Sequence, residues 1–124
     1  MAETVAKNFI NALNKLESDC DLETICSLFG DNCEIGNVVT EDKDISARDF
    51  WSNYRNSFDK VQSTFRNEII MDGAVALEWK TTGTNGEGRE FEYEGVSILE
   101  TTNDKINRFH AYFDANKLGK QLVD

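Results

Sequence analysis

The sequence predicts an α+β fold: a cone-shaped, bent antiparallel sheet packed on three N-terminal helices, with an internal pocket. Three observations carry this reading. Apolar residues recur at helical spacing through the first half of the chain, and they alternate with polar residues from Val61 onward. Turn pairs such as Asp72-Gly73 divide the second half into long strands. Helices gathered on one face of an antiparallel sheet define the class, and a bent sheet curling round a long helix leaves a conical space. The 124 residues fit a single domain, 1–124, large enough to bury a core without metals or disulfides.

The first helix runs from Ala2 to Leu16, with Val5, Phe9, Leu13 and Leu16 on one stripe. Asp21 is placed to cap a second helix, in which Leu22, Ile25, Cys26 and Phe29 share a face. Gly30 then stands where a left-handed C-terminal residue is wanted. Cys33 to Val39 reads as a short strand and Glu41 to Asp44 as an acidic loop. A third helix starts near Ser46, capped by Ser46 or Asp44, with Ala47, Phe50, Trp51, Tyr54 and Phe58 as a wide aromatic stripe.

In the second half, Phe65 and Ile69 are expected on one face of the first long strand. After Asp72-Gly73, Val75, Leu77 and Trp79 share a face opposite Glu78 and Lys80. Gly83 to Gly88, containing Asn85-Gly86, is the next turn. Phe91 and Tyr93 follow, with Glu90, Glu92 and Glu94 facing away. At Gly95 the apolar phase passes to Val96 and Ile98, which predicts a bulge that bends the strand. Thr101 to Asp104 is a further turn, Ile106 to Phe113 the last strand, and a short tail helix carries Leu118 and Leu122.

The formal charge of −10 sets a field that repels phosphate backbones and anionic lipid, so neither nucleic acid nor membrane is an expected partner. Cys20, Cys26 and Cys33 are odd in number and form no CxxC pair, which reads as reduced thiols packed in or near the core. The only histidine, His110, is far from them in sequence, so no metal site and no cofactor is expected. The N-terminal residues lack an apolar signal core and no run approaches a membrane span, pointing to a cytoplasmic protein.

The segment from Ile106 through Asp114, with Leu118, Gln121 and Leu122 behind it, resembles the last strand and tail of SnoaL-like proteins. These belong to the cone-shaped superfamily of nuclear transport factor 2, the ketosteroid isomerases, the polyketide cyclases and limonene epoxide hydrolase. Phe29 to Ile35 resembles the family's helix-to-strand passage. The resemblance implies the fold described above, and this fold hosts enzymes, transport adaptors and plain binders alike. Family roles transfer unevenly. The place of the isomerase base falls near Asn37, that of its second acid near Val96, and that of the hydrolase carboxylate at Ala111; none of these residues is an acid. Asp114 alone matches a catalytic position, the acid/base of the polyketide cyclases.

Two functions therefore stand side by side. In one, the domain takes a compact, mostly apolar molecule bearing a carbonyl or hydroxyl, and Asp114 shuttles a proton in an isomerisation, cyclisation or hydration. In the other, it is a non-catalytic ligand-binding or interaction module. Its outer sheet face, with Arg108, His110 and Tyr112, then pairs two copies into a homodimer, and Asp114 serves as the N-cap of the tail helix. Trp51, Tyr54, Trp79, Phe91, Phe109 and Phe113 are the candidate pocket lining or ordinary core. Tyr54 and Asn37 are the candidate polar contacts to ligand.

Overall fold

The computed structural model describes residues 2–40 and 44–122. Chain order is α1 (Ala2–Asp19), α2 (Leu22–Cys26), β1 (Phe29–Asn37), α3 (Ala47–Asn56), β2 (Lys60–Met71), β3 (Ala74–Thr84), β4 (Glu90–Thr102), β5 (Lys105–Phe113) and α4 (Ala115–Leu122). Among the described residues the strands form one bent sheet in the order β1-β5-β4-β3-β2. Glu41 to Lys43, most of the predicted acidic loop, lie outside the described residues.

Helix α1 buries Val5, Phe9, Leu13 and Leu16 as its spacing requires, together with Ala6 and Ala12, and packs this stripe toward β2. Two further turns of sequence logic hold locally. Asp21 caps α2 by accepting from Thr24 N at 3.2 Å, and the Thr24 hydroxyl adds a second bond at 2.7 Å. These bonds, the hydroxyl's first, hold the Asp21 carboxyl below its usual range. Ser46 caps α3 by accepting from Asp49 N at 3.1 Å.

The sheet departs from a purely antiparallel one. Strand β1 runs parallel to β5, from Phe29 opposite Ile106 to Asn37 opposite Ala111. No hairpin joins the two, and α3 with three strands lies between them, so local turn chemistry does not set the direction of β1. The strand also begins earlier than its apolar pattern indicates. Gly30 sits inside it, and α2 ends instead at Ser27 with φ −65°.

The predicted change of phase at Gly95 does not occur. Pairing of β3 with β4 is unbroken from Ala74 opposite Glu100 to Thr84 opposite Glu90. Phe91, Tyr93, Ser97 and Leu99 all point inward, and Val96 and Ile98 belong to the outer face. Gly95 is needed for clearance. A Cβ there would lie 2.4 Å from the Tyr112 carbonyl oxygen and 2.7 Å from the Trp79 indole. The bulge stands in β2 at Arg66, so Phe65 faces inward opposite Trp79 while Ile69 faces outward opposite Ala76. At the turns, Gly73 takes φ +80° while Asp72 stays in ordinary space, and Gly88 takes φ +80° where Asn85-Gly86 was the expected pivot. Asn103 and Asp104 both adopt positive φ in the tight β4–β5 hairpin.

Strand β4 extends past the end of β5, since Gly95 opposite Phe113 is their last pair. The exposed β4 backbone at Glu92 is met by α4. Gln121 accepts from Glu92 N at 2.8 Å and donates to Glu92 O at 2.9 Å. One side-chain amide thus stands in for a missing strand and brings Leu118 and Leu122 over the inner face of the sheet. Of the cysteines, Cys26 and Cys33 are half-buried, with burial pushing both thiols up. Cys20 differs from expectation: it is exposed, at φ 58° in the turn between α1 and α2.

Candidate functional site

A cavity of about 600 Å³ opens between the helices and the inner face of the sheet. Phe9 and Leu13 of α1, Phe50, Trp51 and Tyr54 of α3, and Leu118 and Leu122 of α4 form its helical side. Trp79, Phe109 and Phe113 form part of its sheet side. The wall is set by ring packing. Trp51 lies with its centroid 5.1 Å from Phe109, 4.9 Å from Phe50 and 5.7 Å from Tyr54, all in edge-on contacts that favour the aromatic quadrupoles. Trp79 is held in turn by Tyr93 at 5.3 Å and by a hydrogen bond from its Nε1 to Ser97 Oγ at 2.9 Å.

The structure brings Asn37, Trp51, Tyr54, Trp79, Phe109 and Phe113 to this cavity. Two residues named with them lie elsewhere. Phe91 is buried beneath the wall, stacked on Phe58 at 4.8 Å and against Tyr93 at 5.9 Å. Asp114 is exposed at the end of β5, outside the cavity lining, and its Oδ1 accepts from Lys117 N at 3.0 Å to cap α4. Asp114→Ala is accordingly expected to lower stability by about 1 kcal/mol through loss of that cap, read as a shift in the urea midpoint. His110 faces away from the cavity, its ring 4.5 Å from Tyr112, and burial together with Arg108 holds its imidazole below the ordinary value.

Asn37 closes the turn after β1: its Oδ1 accepts from Val39 N and from the Thr40 hydroxyl, both at 2.9 Å. Trp51 is 3% exposed, and among the described residues its buried Nε1–H meets no hydrogen-bond partner.

The sequence reading missed the polar floor of the site. Glu17, in the last turn of α1, is only 3% exposed. It accepts from Ser63 N at 2.8 Å, from Ser63 Oγ at 2.6 Å and from the Tyr54 hydroxyl at 2.7 Å. Ser63 Oγ lies 2.7 Å from Thr81 Oγ1. Tyr54, Ser63 and Thr81 line the cavity, and Glu17 stands behind them. Burial, and then the Glu17 charge, push the Tyr54 hydroxyl well above its ordinary pKa, and the same causes raise Tyr93. A signal was available: Glu17 continues the series Val5, Phe9, Leu13 at four-residue steps, on the apolar stripe. The described cavity wall carries no Asp, Glu, His, Lys or Cys side chain.

The model of the SnoaL-like domain matches residues 6–109. The chain belongs to the SnoaL-like family. No curated protein matches it. Among solved structures, TerC co-crystallised with polyporic acid superposes with a TM-score of 0.81 at 14% identity, covering 98% of this chain and 97% of TerC. TsrD from Streptomyces laurentii follows at a TM-score of 0.79 and 11% identity, covering 98% and 97%. An epoxide hydrolase from M. tuberculosis resembling limonene epoxide hydrolase gives 0.73 at 18% identity, covering 96% of this chain and 90% of its own. These likenesses establish the SnoaL-like fold. Among the described residues no helix is long and apolar enough to cross a membrane, and no three His, Cys, Asp or Glu side chains group as metal ligands.

Proposed function

We propose that this SnoaL-like domain binds a compact, mostly apolar small molecule bearing a carbonyl or hydroxyl in the cavity bounded by α1, α3, α4 and the sheet. The observation that carries the reading is the cavity of about 600 Å³, walled by Trp51, Tyr54, Trp79, Phe109 and Phe113 with a few polar residues such as Ser63 and Thr81 among them. The rings supply the apolar contact, and the few polar residues of the lining orient a ligand carbonyl or hydroxyl. TerC, of the same fold, was crystallised with an organic acid, which supports small-molecule binding as a use of this architecture. Binding is favoured over Asp114-centred catalysis, because Asp114 lies outside the lining and already caps α4.

The test is calorimetric titration with a neutral probe, naphthyl methyl ketone. Saturable one-to-one binding is expected, and Phe113→Ala, which removes a ring from the cavity wall, is expected to weaken it by about fivefold to tenfold. Absence of binding to the wild type would overturn the proposal.

A second reading concerns assembly, and the outer sheet face motivates it. Ile69, Ala76, Ile98 and His110 lie in register across four strands, and Ile69, Met71 and Tyr112 are 64%, 67% and 46% exposed. An apolar band of this kind, rimmed by ion pairs such as Arg66 with Glu94 and Arg108 with Glu100, fits a second copy of the chain. Light scattering at micromolar concentration is expected to report a dimer, and Ile98→Glu a monomer. A monomeric wild type would exclude this pairing.

A further inference from the structure

Among the described residues, the exposed members of the cavity lining are Val39, Asn53, Ser57 and Gly119. The rim of the cavity therefore runs over the turn after β1, the outer flank of α3, and α4. Two of these three are firmly held. The turn is closed on itself, with Thr40 Oγ1 accepting from Asn37 N at 3.0 Å and Asn37 Oδ1 accepting from Val39 N at 2.9 Å. Helix α3 sinks Phe50 and Trp51 into the core. Helix α4 buries no side chain fully. Its Leu118 and Leu122 are half-buried, and Gln121 ties it to the exposed backbone of β4 at Glu92. Bonds at such a surface are readily exchanged for bonds to water. The helix is also weak in itself. It has eight residues, too few to persist alone in water, and Gly119 lies within it. Packing does not call for that glycine, because no atom lies within 4 Å of a Cβ at the site.

We propose that α4 is the lid of the cavity, and that Gln121 is the latch that holds it shut. The helix unwinds from the sheet, back to Asp114 at the end of β5, to admit or release ligand. This rests on the small-molecule reading above and adds how the site is entered. The latch is built for one position. Gln121 Oε1 accepts from Glu92 N at 2.8 Å, and Nε2 donates to Glu92 O at 2.9 Å. The same Nε2 donates to Lys117 O at 3.2 Å, so the amide is oriented by its own helix. Gln121 lies outside the cavity lining, whereas Ala115, Leu118, Gly119 and Leu122 belong to it. A bound apolar molecule thus adds contact to the closed lid through Leu118 and Leu122, and the latch acts on the lid without touching the ligand.

Two measurements with naphthyl methyl ketone test the lid. The first is hydrogen exchange of the wild type. Without probe, the amides of residues 118–122 are expected to exchange about a hundredfold faster than those at the centres of α1 and β3, and saturating probe is expected to slow them about tenfold. The second is stopped-flow tryptophan fluorescence of Gln121→Glu. Glutamate keeps the length and helix propensity of glutamine but sets a carboxylate oxygen against the Glu92 carbonyl. The latch is then lost equally from the free and the bound closed states. Association and dissociation are both expected to quicken by about threefold to tenfold, with Kd held within about twofold. Unchanged rates, or faster dissociation alone with a matching loss of affinity, overturn the latch. Amides of 118–122 that exchange as slowly as those of α1, in a protein that binds the probe, overturn the lid while the cavity reading stands. Failure of the wild type to bind the probe overturns both.

Discussion

Replacing Glu17 by leucine is expected to lower the stability of the domain by about 3 kcal/mol, although leucine suits a buried helical position well by hydrophobicity. The loss falls on the groups left behind. Strand β2 is a sheet edge, so alternate backbone amides turn away from β3, and the Ser63 amide is one that only Glu17 meets among the described residues. Removal of the carboxylate strands that N–H and the hydroxyls of Ser63 and Tyr54 in a buried setting, and each unsatisfied donor costs on the order of 1–3 kcal/mol before relaxation. Glu17→Gln retains one acceptor and is expected to lose roughly half as much. Urea unfolding followed by tryptophan fluorescence reads both values, because Trp51 and Trp79 lie in the same cavity wall. A leucine variant as stable as wild type would show that water or backbone movement replaces the carboxylate.

Gly95→Ala is expected to cost about 2–3 kcal/mol and to weaken ligand binding in the same stroke. The added methyl meets the Tyr112 carbonyl oxygen at 2.4 Å and the Trp79 indole at 2.7 Å. The backbone contact is the harder one to relieve, because β4 and β5 are joined there by their last pair, Gly95 with Phe113. Displacement of Trp79 would break its hydrogen bond to Ser97 and shift one wall of the cavity. Gly86→Ala supplies the control: no atom lies within 4 Å of a Cβ at that site, and its φ is ordinary, so a change within about 0.5 kcal/mol is expected. If the two variants melt alike, steric clearance is not the reason for glycine at position 95.

Both predictions concern features that pattern reading handles poorly. Period-two alternation identifies inward residues by their apolar character, so it follows Val75, Leu77 and Trp79 correctly and then stumbles at Ser97. Ser97 faces inward because it receives the Trp79 indole proton, and its polarity disguises an uninterrupted strand as one that changes phase. Ser63 and Thr81 are inward for the same kind of reason. The bulge at Arg66 has no glycine to mark it, so unbroken alternation puts Ile69 on the face of Phe65 when it lies on the other.

The features legible along the chain are local and periodic. The stripe of α1, the caps at Asp21 and Ser46, the aromatic face of α3 and the inward run of β3 each follow from spacing and side-chain chemistry within a few residues. So does the capping of α4 by Asp114, an alternative that the residues already carried. The direction of β1, the clearance at Gly95 and the pairing of Glu17 with Tyr54 and Ser63 are set only by the folded arrangement. Each of these depends on which group from a distant part of the chain arrives opposite. A hydrogen bond or a steric contact is a property of two partners, and a one-dimensional pattern names only one of them.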